Sequence, residues 1–117
     1  MYKRQHYDGG YFYFRNINQR ILLGGGRNLA LKEEQTSKFG RTSLIQNALV
    51  DLLKNVILPN YDVQIDSNWS GILGVGEQKK PLVKTLSDRI AISVRLGGMG
   101  VAIGTLIGEQ GADLLMK

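Results

Sequence analysis

Apolar pairs recur every four residues between Thr42 and Pro59, as Leu44/Ile45, Ala48/Leu49, Leu52/Leu53 and Val56/Ile57. That spacing lays one apolar stripe along an α-helix and leaves Gln46, Asn47, Asp51, Lys54 and Asn55 largely outside it. Thr42 or Ser43 can cap its start, and Pro59 stops it. The other segments offer strands for this helix to cover. Tyr11-Phe12-Tyr13-Phe14 follows the turn signal Asp8-Gly9-Gly10, and Ile21-Leu22-Leu23 runs into Gly24-Gly25-Gly26. With the polar turn formers Asn16 to Gln19 between them, they predict a β-hairpin. Leu29 to Gly40 is polar and reads as a loop with at most a helical turn. Val63-Gln64-Ile65-Asp66 alternates as a half-buried strand does, continuing through Trp69-Ser70-Gly71-Ile72. Glu77 to Lys80 is a charged loop before Pro81. Ile90 to Val94 reads as a buried strand, Gly97-Gly98-Met99-Gly100 breaks it, and Val101 to Met116 forms a closing helix. The order β-β-α-β-β-α predicts an α+β fold, a mainly antiparallel sheet with two helices and no internal repeat.

Composition removes several function classes. The 117 residues include no cysteine and a single histidine, His6. Disulfides and thiolate metal sites are excluded, and no zinc cluster or Ser-His-Asp triad is expected within the chain. The net charge of +5 comes from positive residues spread from Lys3 to Arg95 without a basic block interleaved with aromatics. Nucleic acid is therefore not an expected partner. The longest mostly apolar stretch, Ile90 to Ile107, carries Arg95 and four glycines, which suits a strand-turn-helix better than a membrane span. The start is polar and lacks the apolar core of a signal peptide, so the expectation is a cytoplasmic protein. Met1 to Gln5 resembles translated adapter sequence. Residues 6–117 are read as the protein proper, continuing upstream into a missing N-terminal domain.

Ser93 to Gly104 carries the chemistry. An apolar strand enters a glycine turn that opens a helix. Glycine lets the backbone approach a ligand, and a helix start offers unpaired N–H groups with partial positive charge. Such a terminus stabilises negative charge, including that on the pyrimidine end of a reduced flavin. Gly100, Gly104 and Gly108 lie four apart, which lets a backbone or a flat ring pack against the helix. The pattern is not the dinucleotide fingerprint, because Ile103 occupies the third glycine position and no acidic residue follows at the required distance.

Three segments in order resemble the D-amino-acid-oxidase and glycine-oxidase family of FAD-dependent oxidoreductases. Tyr11-Phe12-Tyr13-Phe14-Arg15 with Arg20 to Arg27 looks like that family's substrate-domain hairpin. Asp66-Ser67-Asn68-Trp69-Ser70-Gly71-Ile72, after a helix ending in Leu58-Pro59, is similar to its tryptophan-small-glycine strand. Arg95 to Gly104, with Ile107 and Ala112 to Leu115, resembles the terminal flavin-contacting loop and helix. The resemblance implies part of the substrate domain plus the last flavin-contacting helix of a two-domain flavoenzyme. Backbone groups of Gly97, Gly98, Met99, Gly100 and Val101 would line FAD. An amine or amino-acid-like donor would lose a hydride to the flavin, and the resulting imine would hydrolyse in water.

One position departs from the family. Amino-acid-oxidising relatives place a carboxylate-holding arginine two residues after the glycine of the tryptophan strand, and here that residue is Leu73. The acidic residue usual before the next proline is replaced by Lys80, beside Pro81. Arg95, immediately before the glycine turn, is the candidate substitute, followed by Arg27 after the triple glycine and Trp69 as a substrate wall. The ordinary readings of these residues are a surface ion pair, a solvated loop arginine and a packing tryptophan. A different class of function is a small self-associating or binding module built on the glycine-spaced helix. An RNA-binding domain, motivated only by charge and aromatics, is a third.

Overall fold

The computed structural model describes residues 5–116 and shows an α+β fold, with two helices and two small antiparallel sheets. The chain divides into two units, residues 1–71 and 72–117.

In the first unit, β1 (Gln5–Tyr7), β2 (Phe12–Ile17) and β3 (Arg20–Gly25) form an antiparallel sheet in sequence order. The predicted β2–β3 hairpin is present, closed by Asn18 and Gln19 between the facing residues Ile17 and Arg20. The alternation of β2 sends Phe12 and Phe14 to one face, where Phe12 is buried, and leaves Tyr11 and Tyr13 exposed. Asp8-Gly9-Gly10 is the predicted turn, but a further strand precedes it, and Gln5 pairs with Phe14. Of the presumed adapter segment, Met1 to Arg4 lie outside the described residues.

The helix α1 (Ser43–Leu52) continues through a wider π turn, Leu53–Ile57, so the four-residue apolar repeat is helical along its whole length. Its face packs on β3 and on a short 3-10 turn, Arg27–Ala30. Ile45 and Leu52 join Phe12 and Ala30 in the core. Thr42 occupies the N-cap position with extended backbone but makes no capping bond; its hydroxyl donates instead to Glu34 Oε1.

The predicted strand over 63–72 does not form. Residues 62–76 pair with no ladder and are almost entirely exposed. Alternation shows only that a segment could half-bury one face, whereas a strand also needs a neighbour for its backbone groups. The local fastenings here are an exposed ion pair between Arg20 and Asp66 (2.7 Å) and a bond from the Ser70 hydroxyl to the Gly40 carbonyl. Exposed pairs of that kind contribute little.

In the second unit the expected strand Ile90–Val94 forms, half-buried at its centre and exposed at both ends where a buried strand was expected, and it pairs with a strand that the sequence reading did not foresee. β4 (Leu82–Ser87) pairs antiparallel with β5 (Ile90–Val94), with a bulge between Thr85 and Ser87. The helix α2 (Gly100–Asp113) packs on both strands through Ile107 and Gly111. The Ser93 hydroxyl donates to the Ile107 carbonyl at 3.0 Å, and a side chain at Gly111 would collide with the Ser93 oxygen. Gly111 is thus the glycine that brings helix and strand together. Gly104 and Gly108 face open space.

Candidate functional site

The segment between β5 and α2 reverses direction through three left-handed residues: Arg95 (φ 63°), Gly97 (59°) and Gly98 (86°). Two are glycines, which adopt this region without penalty; arginine there costs about 1 kcal/mol. Met99 donates to the Leu96 carbonyl at 2.9 Å and closes the turn. Met99 O then accepts from Ala102 (2.9 Å) and Ile103 (3.0 Å), which starts the helix.

The backbone N–H groups of Gly98, Gly100 and Val101 find no acceptor among the described residues. They are the orphan donors of a helix start, carrying the positive end of its dipole. Gly97, Gly98 and Met99 are exposed, Gly100 is half-buried, and Val101 is fully exposed. A Cβ at Gly97 would meet nothing within 4 Å, and one at Gly98 would only graze Leu73 Cδ2 at 4.0 Å. The turn is therefore a bare, open surface of N–H donors beside an apolar side chain. Such unpaired donors favour negative charge, and the chain leaves the turn uncovered for whatever would carry it.

Arg95 is held away from this surface. Its Nε donates to the Lys80 carbonyl at 2.9 Å, and its side chain lies over Gly76. Gly97 donates to the Gly74 carbonyl at 3.1 Å, so residues 74–80 follow the turn closely. Leu73, where the resembled family carries its carboxylate-holding arginine, lies against the turn as an apolar neighbour.

Arg27 and Trp69 belong to the first unit. Arg27 begins the 3-10 turn after Gly26, is exposed, and makes no side-chain hydrogen bond or ion pair among the described residues. Trp69 is 67 % exposed in the unpaired segment, so it packs in no core. The first unit also holds a shallow hollow of about 400 Å³ that sequence reasoning did not anticipate. It is lined by the edge-to-face pair Tyr7 and Phe12, with Leu29, Leu52 and Val56, and by Asp51. Its lining residues are scattered from position 7 to 56, and no local pattern marks them.

Among the described residues no cluster of three metal-ligating side chains occurs, and no helix is long and apolar enough to cross a membrane. No family model, curated protein or solved structure matches the chain.

Proposed function

We propose that the chain is the C-terminal part of an FAD-dependent oxidoreductase resembling the D-amino-acid-oxidase and glycine-oxidase family, acting on an amine-bearing donor. The reading is supported above all by the open turn, where the N–H groups of Gly98, Gly100 and Val101 are left unpaired within four residues of largely exposed chain. Bound FAD would supply the hydride acceptor. This chain would contribute positive backbone dipole beside the flavin's pyrimidine edge, through Gly97 to Val101, and would favour negative charge there. Leu73 beside the turn gives an apolar contact in place of a carboxylate holder, which favours amines over amino acids as donors.

A second observation supports a larger host. The chain exposes 9845 Å². Two fully separate compact bodies of these sizes would expose about 7,600 Å². Trp69, Phe39, Val101 and Met116 are all largely exposed apolar residues. Exposed apolar side chains in such number call for a covering neighbour, which an FAD-binding domain would provide. Self-association through α2 answers the same need, and the test separates the two.

The protein expressed from its full reading frame should be yellow, release FAD on denaturation and bleach anaerobically with a suitable amine. A colourless product that takes up no added FAD would end the flavoenzyme reading. A colourless product that also assembles reversibly into oligomers would favour the association module.

A further inference from the structure

We infer that Arg95 is a positioning residue, a brace that fixes the direction of the N–H groups at the start of α2, and not a ligand of the donor. The inference rests on the flavin reading for its consequence but not for its geometry.

Arginine is a poor choice at a left-handed position, and a glycine in its place would remove the backbone penalty. Residues in such conformations persist where their surroundings over-determine them. Here three contacts do so, all to one stretch of chain. The Arg95 Nε donates to the Lys80 carbonyl (2.9 Å). Its side chain lies over Gly76, where a Cβ would stand 2.6 Å from Cδ and 2.9 Å from Nη1. Two residues on, the Gly97 N–H is tied to the Gly74 carbonyl (3.1 Å). The 74–80 segment and the glycine turn are thus clasped at both ends of Arg95. Gly97 is fixed immediately before the unpaired donor at Gly98, and Leu96 anchors Met99, which leads to Gly100 and Val101, so a shift of the clasp would carry the whole turn with it. The segment has no ladder of its own, which makes the guanidinium its main side-chain fastening to the turn.

Arg95→Gly and Gly76→Ala separate the possibilities, with the full-reading-frame protein as the sample. The first relieves the left-handed backbone and deletes the brace. The second keeps the arginine and displaces its guanidinium, since Gly76 has ordinary backbone that alanine can adopt. Both variants are expected to move the amide resonances of Gly98 and Gly100 in selectively 15N-glycine-labelled protein. Both should weaken FAD retention about fivefold, the loss of roughly one neutral backbone hydrogen bond when the donors are turned away. The melting temperature of Arg95→Gly should stay close to that of the wild type. Resonances that keep their wild-type positions in both variants would overturn the proposal. So would a fall in melting temperature with unchanged FAD retention, because the contact would then be only structural. A wild-type protein that takes up no FAD sinks the flavin reading instead, and the brace is then judged on the resonances alone.

Discussion

Asn18 and Gln19 close the β2–β3 hairpin with φ of 48° and 64°, the doubly left-handed backbone that matches the twist of two antiparallel strands. Asparagine is at home there, but glutamine carries a longer side chain into a region it rarely visits. Gln19→Gly should therefore raise the urea midpoint by about 1 kcal/mol in stability with no change in slope. Gly26 shows the opposite case. Its φ is 87°, and a Cβ would stand 3.1 Å from Ile45 Cγ2 and 3.2 Å from a Phe12 ring carbon. Gly26→Ala should cost about 2 kcal/mol, read from the same denaturation curves. At this scale the sequence was legible wherever a residue type announces its backbone. The glycine turn after β5 fell where a chain reversal needs it, and so did Gly26, whereas Gly24 and Gly25 stay paired within β3. Arg95 did not announce itself, because nothing in an arginine signals a left-handed position until its partners at Gly76 and Lys80 are known.

Among the elements, α1 was the easiest to read, since its burial follows from a local period that any neighbour could satisfy. Strands were read less well because pairing is a property of two segments. Val63 to Ile72 alternates correctly and stays unpaired, whereas Leu82 to Ser87 pairs with β5 although only Leu82 and Val83 are half-buried. The seam between α2 and β5 was not foreseen. The glycines at 100, 104 and 108 drew attention by their spacing, yet Gly111 makes the contact, against Ser93. This seam gives a test by sign. In the wild-type background Gly111→Ala forces a methyl onto the Ser93 oxygen and should destabilise by about 1–3 kcal/mol. In a Ser93→Ala background the nearest remaining atom is the Ser93-position Cβ at 3.4 Å, an ordinary contact. There the better helix propensity of alanine should dominate, and the same substitution should stabilise by up to about 1 kcal/mol. Thermal melts of the four proteins in the cycle decide it. Additive effects would mean the helix sits differently on the strand.

For the whole molecule, apolar side chains are more plentiful than places to bury them. Phe12, Ala30, Ile45, Leu52 and Ile107 are the buried hydrophobic residues among those described, and no side chain is fully enclosed. Units of this size are marginal even when well packed. Two consequences can be measured on the 117-residue chain. Residues 62–81 are unpaired and almost all exposed, so brief trypsin treatment should cut the Lys79–Lys80 bond, while the hairpin lysine Lys84 survives longer and Lys80 is shielded by the proline that follows it. The uncovered apolar surface should also bind a hydrophobic dye such as anilinonaphthalene sulfonate under native conditions. The flavin reading adds a condition to both. When the same residues stand within the product of the full reading frame, a covering domain should remove most of the dye signal and protect the 79–80 site. If the longer product binds as much dye and is cut as fast as the chain alone, that surface is left bare in both. The apolar excess would then belong to some partner other than a flavin-binding domain of the same polypeptide.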